Sequence, residues 1–209
     1  AGFTVQPCPQ RRLFVGVQLL RCEIGVRRIG VRHDVQHGIR DLQARTSDIS
    51  SIYYAKADGS HISEQAFPTD SPNGIGLSPS GDVLYWAETH TGRVWRRRVV
   101  APGVLAEGSL LDPWECLAGL PGNQLLDSLA VDGEGNVCVA TLLNGGITVI
   151  DPADGSYTHV PTGDLLTTNI CFGDSDGSGQ YRDAYITASS SGKLLHMRWP
   201  HNGLRLHHM

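Results

Sequence analysis

Three polar residues, each near the start of a short apolar segment, are the first candidates for chemistry in this sequence. Asn73 lies in PNGIGL, Asp127 in LDSLAV and Asn169 in TNICFG. Their carboxamide and carboxylate oxygens are hard donors, suited to Ca²⁺, Mg²⁺ or Mn²⁺. Each residue also has a purely structural interpretation, since Asn73 precedes a glycine as turn residues do and Asp127 could cap a strand end. The secondary-structure elements that carry these residues are therefore needed to distinguish a metal-binding role from a structural one.

These segments belong to an internal repeat. Each is followed by a Gly-containing turn, a second apolar run and a glycine hairpin, and the second runs cover residues 84–89, 137–141 and 184–187. The polar residues are separated by 54 and then by 42 residues, which is the size of one propeller blade. The first strand of each blade lines the central channel. The repeat predicts an all-β propeller with Asn73, Asp127 and Asn169 at one mouth of that channel.

The first 50 residues are unlike the rest. They contain eight Arg, no Lys and four acidic residues, in a chain whose net charge is −4. From residue 51 onward, β-rich runs such as 51–55 and 146–150 alternate with turn clusters. We therefore predict an anomalous Arg-rich segment over 1–50, disordered or foreign to the repeat, and propeller blades over 51–209. A basic interaction arm is the functional alternative for the first segment.

Composition and cysteine usage narrow the class of protein. The mild acidity and the lack of a sustained basic face argue against nucleic acid as a partner. The five cysteines are odd in number and lack zinc-type spacing, so we expect reduced thiols and a cytoplasmic location. Arg11 and Arg12 precede an apolar run with weak similarity to an export signal, but the run is too short to cross a membrane. We expect no membrane partner.

Two other motifs are weaker candidates for metal sites. His33 and His37 have the spacing of a zinc-binding helix, but they lack the Glu of that motif and their surroundings are not helical in pattern. Residues 174–179 match the opening of a calcium loop, yet Tyr185 stands where a bidentate Glu is needed. We interpret this second stretch as a surface hairpin.

In order and spacing, the repeated phrases resemble successive blades of the SMP-30/gluconolactonase/LRE-like family. The resemblance covers about residues 51–200. It implies a six-bladed propeller with one divalent cation in its channel, held by an early-blade Glu, the Asn of a Pro-Asn-Gly phrase and a later Asp. Many members hydrolyse lactones. Six blades need about 240–300 residues, and about three blades are recognisable in this chain.

By this resemblance Asn73 and Asp127 are the metal ligands. Asp127 is also the candidate catalytic general base, and the repeat makes Asn169 a candidate channel-lining residue. The ion is expected to be Ca²⁺, with Mg²⁺, Mn²⁺ and Zn²⁺ as alternatives, and it would polarise a lactone carbonyl or acidify a bound water. The early-blade Glu and the substrate-binding residues have no recognisable counterpart, and Ser128 stands where the family usually has Gly.

Three functions remain open at this point. The first is a metal-dependent hydrolase that opens a small sugar lactone, impaired if an N-terminal part is missing. The second is a non-catalytic propeller that binds a ligand at the channel mouth. The third is an inactive, truncated family member. An acidic residue at the start of an early-blade inner strand would separate the first from the other two.

Overall fold

The computed structural model describes residues 49–56, 58–111, 114–174 and 176–204, together with the backbone of residues 4–6, 20–22 and 27–31. Within these ranges the regular structure consists of strands alone, as the sequence predicted, and no helix has the length and apolar character needed to cross a bilayer. In chain order the strands are β1 (Thr4–Gln6), β2 (Leu20–Cys22), β3 (Arg27–Val31), β4 (Ile49–Lys56), β5 (Ile62–Asp70), β6 (Pro72–Leu77), β7 (Val83–Glu88), β8 (Arg93–Ala101), β9 (Val104–Leu105), β10 (Glu115–Gly119), β11 (Leu126–Val131), β12 (Val137–Thr141), β13 (Gly146–Ile150), β14 (Tyr157–Pro161), β15 (Thr167–Gly173), β16 (Asp183–Ala188) and β17 (Lys193–Arg198).

The strands form four antiparallel sheets in which neighbours along the chain are mostly neighbours in space. Their orders are β2-β3-β4-β5, then β6-β7-β8-β10 with β9 paired to β8, then β11-β12-β13-β14, and finally β15-β16-β17-β1. Strand β1, from the beginning of the chain, completes the last sheet by pairing with β17. Three sheets coincide with the sequence repeat, and the sheet β2–β5 adds a fourth.

The apolar core lies between successive sheets. Ile52, Ile75 and Trp86 join the first sheet to the second, and a cluster around Leu126 and Val139 joins the second to the third. A further cluster, whose members include Ile147, Ile170 and Ile186, joins the third sheet to the fourth. Strand β12 is buried along its whole length because sheets pack against both of its faces. The first strands of the sheets thereby come to lie side by side, with β6 against β11 and β11 against β15.

The hairpin between the second and third strands has one geometry in three sheets. Gly92, Gly145 and Gly192 occupy equivalent positions with φ of 64°, 65° and 65°. L-residues with a side chain rarely adopt this left-handed conformation, whereas glycine does so without steric cost. The glycines that marked the repeat in the sequence are therefore the residues that let each hairpin close.

Strands β1–β3 and the start of β4 fall inside the segment that the sequence set apart as anomalous. The remainder of residues 1–48 lies outside the described residues. The division at residue 50, and the disordered or foreign character expected before it, accordingly stay predictions.

Asp164 ties the third sheet to the fourth. The residue is 5% exposed. Its carboxylate accepts hydrogen bonds from the backbone N–H groups of Leu166 (2.9 Å), Ser190 (3.2 Å) and Ser191 (2.8 Å), and from Ser191 Oγ (2.6 Å). Burial raises the pKa of Asp164, but the hydrogen bonds from Ser190, Ser191 and Leu166 outweigh it and hold the pKa well below its usual range. The charged carboxylate therefore stabilises the fold.

We expect Asp164→Asn to lower the free energy of unfolding by about 2 kcal/mol near pH 7, because charge-assisted hydrogen bonds are lost. A carboxylate with a lowered folded-state pKa stabilises above its unfolded-state pKa, and this contribution fades as the pH falls further. The difference between wild type and variant should thus narrow below about pH 4 in urea titrations. The control is Asp58→Asn. Asp58 lies in an exposed turn, where its carboxylate accepts a hydrogen bond from Ser60 N–H at 2.9 Å. An equal loss in both variants would contradict the assignment.

Candidate metal and active site

Asn73 and Asp127 occupy the second position of neighbouring inner strands, β6 and β11. Gly74, beside Asn73, brings the two strands into close approach. A Cβ atom at Gly74 would lie 2.6 Å from Leu129 N and 2.7 Å from Asp127 O, distances that no real side chain tolerates. The contact between the strands thus depends on this glycine, and it places the two polar residues next to each other.

Both residues lie in irregularities of their strands. The pairing of β6 with β7 shifts register between Pro72 and Ile75, and that of β11 with β12 shifts between Leu126 and Leu129. Such β-bulges turn side chains away from the regular alternation and are frequent beside active sites. The sequence repeat located both strands but gave no sign of the bulges.

A strained residue precedes each bulge at the same distance. Ser71, two residues before Asn73, has φ of 47°, and Leu125, two residues before Asp127, has φ of 52°. A residue with a side chain in this region costs about 1–3 kcal/mol and persists where the surrounding structure enforces it. The same backbone feature, a positive-φ residue followed by a β-bulge, therefore sets the direction of both polar side chains.

Asp127 is partly buried, and this dominates its titration. Burial raises the pKa of its carboxyl to about 6, against the lowering effect of hydrogen bonds from the Asn73 side chain and the Ser128 backbone. Within the described part of the chain no cationic side chain forms an ion pair with Asp127. A carboxylate in this setting gains stability from any cation placed beside it.

Two residues that sequence reasoning left without a role support the start of β6. The buried Glu88 accepts hydrogen bonds from Asp70 N–H (2.9 Å) and from the Thr91 hydroxyl (2.7 Å). Thr89 N–H donates to Ser71 O at 3.0 Å, and Thr89 O accepts from Leu126 N–H at 3.3 Å. Their positions at the end of the second run of the first repeat copy are visible in the sequence, but these long-range partners are not.

The third predicted channel residue, Asn169, lies near the start of β15, at the equivalent end of its strand. Its Oδ1 accepts a hydrogen bond from Ile170 N–H at 2.9 Å, within its own strand. No hydrogen bond among the described residues joins Asn169 to Asn73 or Asp127. The structure thus places Asn169 at the corresponding end of β15, which lies against β11, without a hydrogen bond to the other two among the described residues.

The pair fits a hard divalent cation in the kind of donor it offers. A carboxamide and a carboxylate are oxygen ligands of the type that Ca²⁺ takes, but Ca²⁺ needs about six to eight oxygens. The described residues contain no group of three His, Cys, Asp or Glu side chains able to hold a metal ion. In this part of the chain, Asn73 and Asp127 therefore provide only a portion of a coordination shell.

The other candidates from the sequence do not add to this site. Asp174 accepts hydrogen bonds from the backbone N–H groups of Ser178 (3.0 Å) and Gly179 (2.6 Å), as in a surface turn. His33 and His37 lie outside the described residues. A shallow cleft of about 370 Å³, with Glu64, Leu105 and Trp114 in its lining, includes neither Asn73 nor Asp127.

Comparison with known proteins agrees with the repeat. A sequence profile described as the SMP-30/Gluconolactonase/LRE-like region matches residues 34–190, most of the chain. It begins inside the segment that the sequence set apart, covers the first two repeat copies and ends before the glycine hairpin of the third. A comparison with curated protein sequences finds no match.

Three solved structures illustrate the fold. A gluconolactonase from Xanthomonas campestris is 21% identical, with a TM-score of 0.63 over 87% of this chain and 56% of its own. A luciferin-regenerating enzyme is 16% identical, with a TM-score of 0.70 over 90% and 64%. The calcium-binding protein regucalcin from Agrobacterium tumefaciens is 19% identical, with a TM-score of 0.61 over 87% and 60%. These likenesses confirm the predicted β-propeller fold, and the chain spans less than two thirds of each of these proteins.

Proposed function

Because the chain belongs to the SMP-30/gluconolactonase/LRE-like family, we propose that it is a divalent-metal-dependent hydrolase that opens a sugar lactone. The observation that carries the proposal is the convergence of Asn73 and Asp127 on adjacent bulged strands, with a partly buried carboxylate that lacks a cationic partner among the described residues. A cytoplasmic location, expected from the cysteines, belongs to the same proposal.

In this proposal Asn73 Oδ1 and the Asp127 carboxylate hold the ion. Ca²⁺ is favoured because both ligands are hard oxygens and because regucalcin, one of the similar structures, is described as calcium-binding. Mg²⁺ and Mn²⁺ share this preference for oxygen, whereas Zn²⁺ is commonly bound through nitrogen or sulfur ligands. When bound, the ion would polarise the lactone carbonyl or acidify a water molecule.

Asp127 is also the proposed general base. Its carboxylate has two oxygens, so one is available to accept a proton from a water molecule while the water oxygen bonds to the lactone carbonyl carbon. The carbonyl double bond then re-forms as the ring C–O bond breaks. The released alkoxide takes the proton from Asp127, which restores the carboxylate and gives the open hydroxy acid. In this proposal the Asn73 side chain, whose hydrogen bonding lowers the pKa of Asp127, helps to orient the carboxylate.

We expect weak Ca²⁺ binding by the chain, with a Kd of about 10⁻³ M, because two protein ligands leave most of the coordination shell to water. Calorimetric titration with Ca²⁺, Mg²⁺, Mn²⁺ and Zn²⁺ measures this affinity. Hydrolysis of gluconolactone, followed as acid release, should be slow and should stop when EDTA is added.

The outcomes of these measurements separate the three functions. Hydrolysis that persists in EDTA and in Asn73→Ala would place the site elsewhere. Ca²⁺ binding without hydrolysis would favour the binding propeller, a reading that the incomplete ligand set among the described residues supports. A chain that neither binds ions nor hydrolyses lactones would be an inactive family member.

A further inference from the structure

Thr89 lies between the two strands that carry the proposed ligands. Its backbone N–H donates to Ser71 O, just before β6, and its backbone carbonyl accepts from Leu126 N–H, at the start of β11. Its hydroxyl accepts a hydrogen bond from Asn73 Nδ2 at 3.4 Å. One residue thus contacts the entry to both strands and, separately, one of the ligand side chains.

The backbone and hydroxyl contacts of Thr89 have different roles. The two backbone bonds hold the strands together and would form with any residue at this position. Among the described residues, the hydroxyl makes its hydrogen bond to Asn73 alone. The hydroxyl can therefore be removed by substitution while the backbone connection is kept.

The Thr89 hydroxyl also restrains the Asn73 carboxamide through this hydrogen bond. Nδ2 donates to Thr89 Oγ1, and hydrogen bonding by the Asn73 side chain lowers the pKa of Asp127. Because a hydroxyl can donate as well as accept, the acceptor-only carboxylate selects the Nδ2 end of the carboxamide, and the hydroxyl restrains it there. With Nδ2 held in this way, Oδ1 lies at the other edge of the planar carboxamide and is the atom left to contact an ion. A carboxamide rotated by 180° would direct its N–H groups toward the cation, and an amide N–H group is not a metal ligand.

We infer that Thr89 is a positioning residue, whose hydroxyl holds the Asn73 carboxamide with Oδ1 toward the metal. The inference rests on the proposed metal site at Asn73 and Asp127. Residues that orient metal ligands in this way typically contribute about 10–100-fold to metal affinity. Because the hydrogen bond of Thr89 is long, the lower end of that range applies.

The test compares Thr89→Val, which keeps the shape of the side chain, with Thr89→Ser, which keeps the hydroxyl. In calorimetric titrations, Thr89→Val should bind Ca²⁺ about tenfold more weakly than wild type, whereas Thr89→Ser should stay within about twofold. Thr91→Val is the matched control, because the Thr91 hydroxyl lies in the same hairpin and bonds Glu88 at 2.7 Å. Equal losses of affinity in Thr89→Val and Thr91→Val would overturn the inference in favour of general hairpin stability.

A second measurement needs no metal. The Asn73 side-chain amide, identified in ¹⁵N-resolved NMR spectra by its absence in Asn73→Ala, should change its shift and exchange faster in Thr89→Val. An unchanged amide would overturn the inference whatever the ion does. If wild type binds no ion but the amide responds to Thr89→Val, the positioning role stands and the proposed metal function fails.

Discussion

Asp127→Asn should weaken Ca²⁺ binding on the order of 100-fold, because it removes the negative charge from the proposed site while keeping the side chain's shape. Calorimetric titration against wild type measures this loss. The rate of lactone hydrolysis should fall further than the loss of bound Ca²⁺ alone would cause, since a general base typically contributes about 10²–10⁴-fold to the rate. Measuring the rate at saturating Ca²⁺ separates the two contributions.

The same substitution should make the metal-free protein more stable at pH 7–8. The folded-state pKa of Asp127 is raised to about 6 from an ordinary value of 3.8, so ionisation in the folded protein is unfavourable. The penalty is fully present above the folded-state pKa and disappears below the unfolded-state pKa. After allowance for partial exposure, Asp127→Asn should gain about 1–2 kcal/mol at pH 8 and nothing below about pH 4.

Asp154→Asn is the matched control for both effects. Asp154 lies in the turn between β13 and β14, where its carboxylate accepts from Ser156 N–H at 2.8 Å and its pKa is lowered. This variant should keep the Ca²⁺ affinity of wild type and gain no stability. Unchanged Ca²⁺ affinity in Asp127→Asn would remove Asp127 from the metal site, whatever happens to stability.

The sequence was sufficient to predict the first three strands of each of the three repeated sheets. The alternation of apolar runs with glycine turns located β6, β11 and β15, and it placed Asn73 and Asp127 near the starts of adjacent inner strands. These features follow from local pattern, because β-runs and left-handed glycine turns depend on the residues at those positions. The run 146–150 coincides with β13 (Gly146–Ile150) for the same reason.

What the sequence did not predict depends on contacts between distant segments. The bulges at Asn73 and Asp127 arise from how β6 and β11 pair with their partners, and the positive φ of Leu125 follows from that geometry rather than from leucine. Thr89 has a role only because its backbone forms hydrogen bonds with Ser71 and Leu126, which lie in distant parts of the sequence. Strands β2 and β3, short and within the Arg-rich stretch, carry no turn rhythm that would have distinguished them.

Gly74→Ala should disrupt the site through the backbone. The added Cβ would meet Leu129 N at 2.6 Å, Asp127 O at 2.7 Å and Ser128 C at 2.9 Å, so β6 and β11 must separate. Overpacking typically lowers the free energy of unfolding by about 1–3 kcal/mol. The upper end applies here because the contacted atoms belong to the backbone and cannot change rotamer as a side chain can. Thermal unfolding should shift downward by about 5–10 °C for a chain of this size.

Gly119→Ala supplies the control for that shift, since its Cβ would find Arg93 Cγ as nearest neighbour at 4.0 Å, an ordinary contact. It should change stability by less than about 0.5 kcal/mol. Gly74→Ala should also weaken Ca²⁺ binding, because separating the strands moves Asn73 away from Asp127. Unfolding of Gly74→Ala at the wild-type temperature would mean that the two inner strands do not approach as closely as described, and the basis for a shared site would be lost. A loss of stability with full Ca²⁺ affinity would instead show that the ion is held without Asn73. Asp127 would then be the one proposed ligand that remains, and the other ligands would have to lie near it.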